Sequence, residues 1–549
     1  MKIVIVGGVA GGASAAARLR RLSEEAHIVM FEKDEYISFA NCGLPYHISG
    51  VIEDRNDLLV QTKEGMESRF NLDIRNFTEV VSIHREKKTV VAKEVKTGRL
   101  YEESYDKLIL SPGASPIVPP IPGLSEAKNV FVLRNIPNTD AIMDYLKTND
   151  VKKATVIGGG FIGVEVAENL KELGKDVSII DMAAQVLAPL DYEFAQLVHK
   201  KLIRKGIQLK LNDGVSHFEN EGHTVVTQSG QHIESDMIIL AIGVSSEVKL
   251  AKEANLKIGA LRGIEVSEHM LTSDPDIYAL GDAVEVKHRV SGLITKIPLA
   301  WPANRQAIVV ANHIFGIKDS YKGSMGTAVV KVFDYTIATT GLNEKTLKQL
   351  SLPYQSVHVQ RNNHASYYPN AKEMNLKLLF HPTTGEIYGA QGVGYEGVEK
   401  RIDVIATAMI GKLTAHDLVD LELSYAPPFG SAKDPVNILG YAARNILEGH
   451  VQKVDVLQVN DLVSKGAFIL DVRTPEEVKY GSIPNSTNIE IDQLRSRLNE
   501  LPSKDTPIYV LCRVGHRGYV ATMILNNLGY NAFNIDGGYD LYKAATMKI

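Results

Sequence analysis

Twice in this chain a short apolar strand runs straight into a glycine-rich turn and then into a helix. Lys2–Val6 leads to Gly7-Gly-Val-Ala-Gly-Gly12, and the alanine-rich stretch from Ala13 to Leu22 predicts the helix. Residues 154–157 repeat the pattern before Gly158-Gly-Gly160-Phe-Ile-Gly163-Val-Glu165, with a helix expected over 161–173. A strand, a glycine turn and a helix in that order build a parallel α/β unit. The glycines let backbone amides and the helix N-terminus come close to a pyrophosphate. The second turn has the full G-x-G-x-x-G spacing, whereas Val9 replaces the middle glycine of the first. In each unit a second strand ends on an acid about 20 residues further on, where a carboxylate can hold a ribose hydroxyl. His27–Phe31 ends at Glu32, with Lys33 next to it, and 176–180 ends at Asp181. Asp181 favours NADH; a basic neighbour supplied by the fold would admit NADPH.

The 549 residues predict three to four domains at roughly 150 residues each. With a net charge of −5 and no basic run, neither nucleic acid nor an anionic membrane surface is expected as a partner. No apolar stretch reaches the ~18 residues of a membrane span, and the chain opens directly on a strand, which predicts no secretory leader. Cys42 and Cys512 are the two cysteines. Two lone thiols build neither a disulfide framework nor a zinc site, so no metal is expected. Such sparing use of cysteine suits a reducing, cytoplasmic setting.

A third segment, Thr272-Ser-Asp-Pro-Asp-Ile-Tyr-Ala-Leu-Gly-Asp282, puts a carboxylate at the end of a short strand. With Leu108-Ile-Leu-Ser-Pro-Gly-Ala114 and Leu240-Ala-Ile-Gly243 as crossovers, residues 1–445 resemble the pyridine nucleotide–disulfide oxidoreductases. The resemblance implies FAD on the first unit (Gly7, Gly8, Gly11, Gly12, Glu32, Lys33), with Asp282 on the flavin ribityl chain. It implies NADH on the second unit, through Gly158, Gly160, Gly163 and Asp181. The expected fold is α/β: a split FAD domain (1–120 and 250–322), an inserted NAD(P)H domain (121–249), and an α+β dimerisation domain (323–446) of a homodimer.

Cys42 lies in Ser38-Phe-Ala-Asn-Cys-Gly-Leu-Pro-Tyr46. Many members of that family carry a Cys-x4-Cys pair beside the flavin, but here His47 stands at the second position. Cys42 must therefore cycle with an external sulfur or through a sulfenic acid. A helix N-terminus or the flavin is expected to lower its pKa. The segment is similar to one branch, the coenzyme A disulfide reductases, as are His364-Ala-Ser-Tyr-Tyr368-Pro and Ser424-Tyr-Ala-Pro-Pro-Phe-Gly-Ser-Ala-Lys433. That branch implies a tyrosine from each segment facing the thiol from the other subunit: Tyr367, or its neighbour Tyr368, and Tyr425. It also implies coenzyme A contacts at Ser14, Arg18, Arg21, Ser38, Asn41 and Lys433, with Asn304 near flavin and sulfur. Arg18 and Arg21 share one helix side, as a phosphate clamp requires.

From Val454 a fresh α/β pattern begins, with strands expected at 468–470, 507–511 and 531–535 and a helix at 518–528. Cys512-Arg-Val-Gly-His-Arg517 opens after the second of these strands, and the segment 455–549 resembles a rhodanese domain. Its Cys-x-x-Gly-x-Arg loop, with Gly515, aims backbone amides at the sulfur, and Arg513 and Arg517 add positive charge. Ser482 stands where a family His is common, and Gly518 where Ser or Ala is usual.

Together these features lead to a FAD-dependent NAD(P)H oxidoreductase that reduces coenzyme A persulfide, polysulfide or disulfide through Cys42, while Cys512 handles sulfane sulfur. Two alternatives stay open: an NADH oxidase or peroxidase cycling through a sulfenic acid, and a redox-sensing interaction protein.

Overall fold

The computed structural model describes residues 1–547; Lys548 and Ile549, the end of the expected last domain, lie outside the described residues. The chain forms two compact units: Met1–Met182 with Asp213–Gly326, and Ala183–Asn212 with everything from Thr327 on.

In the first unit Lys2–Val6 is the middle of a parallel sheet, flanked by His27–Phe31 and Lys107–Leu110, with Asp73–Arg75 and Ile277–Ala279 at the edges. Ile3, Val4 and Ile5 are fully buried, as expected of a strand covered on both faces. The helix behind the first glycine turn spans Ala10–Leu22, starting at Ala10 and not at Ala13. Gly11 and Gly12 are poor helix formers, but close packing overrides propensity here. A Cβ on Gly12 would overlap the Gly7 carbonyl, and one on Gly11 would overlap Leu280. A second parallel sheet runs Asp176–Asp181, Lys153–Ile157, Met237–Leu240, Val130–Val132, with helix Phe161–Glu172 behind its glycine turn. The two crossover segments lead into an antiparallel pair, Ala114–Pro116 with Val244–Ser246.

The second unit holds an antiparallel sheet in the order Ala328–Val332, Tyr335–Gly341, Ile387–Gly394, Glu373–Phe380, Gln355–Asn362. Helices Val398–Ile410 and Pro435–Leu447 bury their apolar faces with it in one core. Next in the chain comes a parallel sheet: Gln452–Val454, Ala532–Ile535, Ile508–Leu511, Phe468–Asp471, Thr487–Asn488. This last α/β pattern thus begins at Gln452, ahead of the expected Val454. Its helix spans His516–Asn527, not 518–528, because Gly515 takes φ 94° and turns the chain early. The fold class is the expected one, α/β with an α+β segment and a C-terminal α/β segment. Among the described residues no helix is long and apolar enough to cross a membrane.

Candidate active site

Cys42 sits in the single turn Asn41–Gly43 that leads into helix Leu44–Ile48. Gly43 packs closely there, since a Cβ would press on the methyl ends of Leu58 and Ile52. The segment is fastened to the helix of the second glycine turn: Tyr46 Oη donates to Glu165 Oε1 at 3.2 Å, and Ser49 Oγ to Asn169 Oδ1 at 2.5 Å. His47 is buried, and its Nδ1 lies 2.7 Å from the Ile52 carbonyl. The position that would hold a second thiol is thus spent on bracing the loop. Cys42 itself is exposed.

Its pKa is raised, contrary to the expected lowering. The protein mass around the sulfur and the carboxylates of Glu165 and Asp282 all oppose a thiolate. Glu165 in turn is pushed up to about 7, chiefly by burial. Glu165→Gln therefore lowers the alkaline midpoint of Cys42 alkylation in flavin-free protein, followed by peptide mass spectrometry across a pH series. An unchanged midpoint would refute this coupling.

Both glycine turns form cradles. Glu32 accepts from the Gly8 amide at 2.8 Å, and Asp181 from the Gly159 amide at 2.6 Å, so each acid also fixes its own turn. Lys33 is exposed beside Glu32. A Cβ on Gly163 would overlap the Gly158 carbonyl, whereas one on Gly160 would meet nothing within 4 Å. The tight glycine thus serves the turn, and the open one leaves room for a ligand's backbone to approach. Each cradle fits a dinucleotide.

In the second unit Tyr367 and Tyr425 are exposed, and their hydroxyls hydrogen-bond at 2.8 Å. Tyr368 packs edge-on against His364. Arg401, 2% exposed, holds both loops from behind, donating to the Asn363 and Gly397 carbonyls and to Asp434.

Family models match along the chain: pyridine nucleotide-disulphide oxidoreductase over residues 1–307, its dimerisation domain over 327–435, and a rhodanese-like domain over 455–545. The chain belongs to the pyridine nucleotide-disulphide oxidoreductase family. This oxidoreductase is 40% identical to the coenzyme A disulfide reductase of Staphylococcus aureus (strain JH9) over 445 residues, 81% of this chain and 100% of that protein. It is similar to the structure of reduced Bacillus anthracis CoADR-RHD, with 56% identity and TM-score 0.98 over 99% of this chain and 98% of that one. It also resembles an NAD-dependent persulfide reductase from A. fulgidus, with 36% identity and TM-score 0.93 over 98% and 100% of the chains. The family implies FAD and a nicotinamide nucleotide.

The oxidoreductase arranges the remaining candidates unevenly. Ser14 Oγ donates to Asn304 Oδ1, and Asn304 Nδ2 to the Ala300 carbonyl at 2.9 Å. Arg18 is held sideways on Asn312 Oδ1 at 2.9 Å, while Arg21 is exposed. Between them Arg20, not predicted, is 4% exposed and donates to four backbone carbonyls. Ser38 takes φ 46°, and its N–H donates to the Gly8 carbonyl at 2.9 Å. Asn41 Nδ2 donates to the Arg134 carbonyl at 3.2 Å. Lys433 is exposed, its ammonium 5.6 Å from the Tyr441 ring centre.

Cys512 is fully buried, and the Gly515 amide donates to its sulfur at 3.1 Å. Burial raises its pKa; the amides of Gly518, Val514 and Gly515 and the Arg517 charge pull the other way. Arg517 is gripped by Glu477 at 2.6 and 2.8 Å, and Glu477 also closes the capping box of helix Pro475–Lys479. Arg513 turns away from the expected role: its guanidinium is taken by Asp540 at 2.9 Å and Glu373 at 3.2 Å. Gly518 has a steric reason, because a Cβ there would reach 2.5 Å from Asn534 Oδ1. Sequence reasoning also missed Arg473, which pairs with Asp471 at 2.6 Å and lies 4.0 Å over the Tyr539 ring. An Asp-x-Arg spacing straight after a strand was the available signal.

Proposed function

We propose that this chain reduces coenzyme A persulfides and polysulfides, and coenzyme A disulfide, with NADH. The observation that carries the reading is Cys42: exposed, alone in its unit, with buried His47 where a partner thiol would stand. Gly7, Gly8, Gly11, Gly12, Glu32, Lys33 and Asp282 would hold FAD, and Gly158, Gly160, Gly163 and Asp181 the nicotinamide nucleotide. Cys42 thiolate attacks the coenzyme A sulfur of a persulfide, so hydrosulfide leaves and a Cys42–coenzyme A mixed disulfide forms. FAD held by those residues would supply the two-electron chemistry between NADH and the Cys42 sulfur. The hydrogen-bonded pair Tyr367 and Tyr425, contributed by the second subunit of a homodimer, donates a proton to the departing coenzyme A thiolate. Ser14, Arg18, Arg21, Ser38, Asn41, Asn304 and Lys433 are the candidate contacts for coenzyme A. Cys512, in its amide-lined turn, carries sulfane sulfur as a persulfide.

The acceptors discriminate the readings. With coenzyme A persulfide, NADH consumption matches sulfide release one to one and exceeds the rate with oxygen or peroxide by about tenfold or more in kcat/KM. Cys512→Ser slows sulfide release from polysulfide more than from coenzyme A persulfide. NADH oxidation that tracks oxygen uptake without sulfide release would overturn the reading in favour of an oxidase.

A further inference from the structure

A charged cluster with almost no solvent contact joins helix Tyr192–Arg204, strands Gln355–Asn362 and Glu373–Phe380, and the residue after strand Ala532–Ile535. The side chain of Lys377 is 0% exposed, and its ammonium lies 2.5 Å from Glu193, 2.7 Å from Glu344 and 2.9 Å from Asp191. Its cross-strand neighbour is His358. The His358 side chain, 3% exposed, bridges two carboxylates: Nε2 lies 3.1 Å from Glu193 and Nδ1 2.9 Å from Asp536. Both ring nitrogens face acceptors, which only the imidazolium satisfies. Asp536 also meets Lys453 at 3.2 Å, and Glu344 meets Lys348 at 2.9 Å and Tyr354 at 2.9 Å. Phe194 packs against the imidazole, and Asp455 adds negative potential at Lys377. Inside the cluster Lys377, Lys453 and protonated His358 face Asp191, Glu193, Glu344 and Asp536, with the exposed Lys348 at its edge on Glu344. A neutral His358 would take a positive charge from between two buried carboxylates, leaving Glu193 to Lys377 and Asp536 to Lys453.

The four residues after Asp536 tie this cluster to the Cys512 turn. Gly537 and Gly538 both take positive φ, 80° and 67°. Immediately beyond them the Tyr539 amide donates to the Cys512 carbonyl at 2.8 Å, and the Asp540 amide to the Arg513 carbonyl at 3.0 Å. The His358 amide itself donates to Asp536 at 3.2 Å, so strand and side chain grip the same carboxylate. We propose that His358, as an imidazolium held by Glu193 and Asp536, is a positioning residue that anchors the Asp536-Gly-Gly segment and through it the Cys512 turn. Its consequence for sulfur transfer rests on the reading of Cys512 given above; the anchoring does not.

The anchor has a pH direction. Burial opposes the charge, but Asp536 and Glu193 outweigh it and raise His358 to about 9. A raised imidazole contributes fully below its ordinary pKa, and the contribution is lost as pH climbs from there through the raised value of about 9.

Hydrogen exchange of the full-length protein tests this, reading peptides over 512–518 and 536–540 after correction for intrinsic exchange. In wild type, protection of 512–518 falls roughly tenfold from about pH 7 to about pH 9.5. His358→Gln is roughly tenfold less protected at the lower pH and loses the pH dependence, whereas His358→Gln with Asp536→Asn, an uncharged pair, regains protection. Equal protection in wild type and His358→Gln overturns the proposal. If His358→Gln does not fold, the wild-type profile decides, and a flat profile relative to the 398–410 helix also overturns it. Sulfur transfer by Cys512→Ser is measured alongside: transfer that survives this change counts against the role of Cys512 and leaves the anchoring result standing.

Discussion

Cys42→Ser is expected to lower NADH-dependent reduction of coenzyme A persulfide or disulfide by a factor of about 10⁴ or more, because it removes the proposed nucleophile and no second cysteine lies in the unit to replace it. The nearest substitute would have been a second thiol, and His47, buried against the Ile52 carbonyl, cannot serve. Since Cys42 is exposed, the hydroxyl fits without repacking and the variant folds with its flavin colour intact. Mass spectrometry supplies the second half of the expectation. Wild-type protein carries coenzyme A on Cys42 until dithiothreitol is added, and the serine variant carries none. Retained activity in Cys42→Ser, measured as sulfide or free coenzyme A released per NADH, would remove the mechanism altogether.

What could be read in the sequence was what local geometry dictates. The two glycine turns were legible because their contacts are made within the turn: Gly12 against Gly7, Gly163 against Gly158. The acids at the ends of the second strands were legible for the same reason, and each proves to hold an amide of its own turn. Cys42 was singled out by what is missing around it. Long-range partners were another matter. Glu165 reads as one more helix residue after G-x-G-x-x-G, and nothing in its neighbourhood announces that Tyr46 reaches it across 119 positions. Arg513 and Arg517 look equivalent in a loop of six residues, yet the turn at Gly515 sends one to Glu477 and the other to Asp540 and Glu373. Strand Ile387–Gly394 contains three glycines and would score poorly as a central strand. It is buried throughout because Leu342, Val398 and Met374 occupy the space where side chains would go.

The cluster around Lys377 is the extreme case of this blindness, and it carries the largest expected effect on stability. Asp191 and Glu193, Glu344, and Lys377 are ordinary charged residues at three distant places in the sequence, belonging to three separate elements. Folding places the lysine where the three carboxylates offer oxygens within 4.8 Å of one another, a spacing that suits a cation, and the ammonium is the cation. Lys377→Met keeps the apolar stem but takes the shared cation from three buried carboxylates, leaving Glu193 to His358, Glu344 to Lys348 and Asp191 without its ammonium partner, and breaking such a cluster costs about 3–5 kcal/mol. The urea midpoint of the second unit falls accordingly. Lowering the pH recovers part of the loss, because carboxylates without a counter-charge bind protons more readily in the folded state than in the unfolded one. Adding Glu193→Gln to Lys377→Met also recovers part, since one buried negative charge is gone. Lys377→Ala leaves room as well as charge, and calcium or manganese raises its urea midpoint while leaving that of wild type where it was. An Lys377→Met protein as stable as wild type at neutral pH would show that the carboxylates are already protonated and that the ion cluster, with His358 at its edge, is not what holds these strands together.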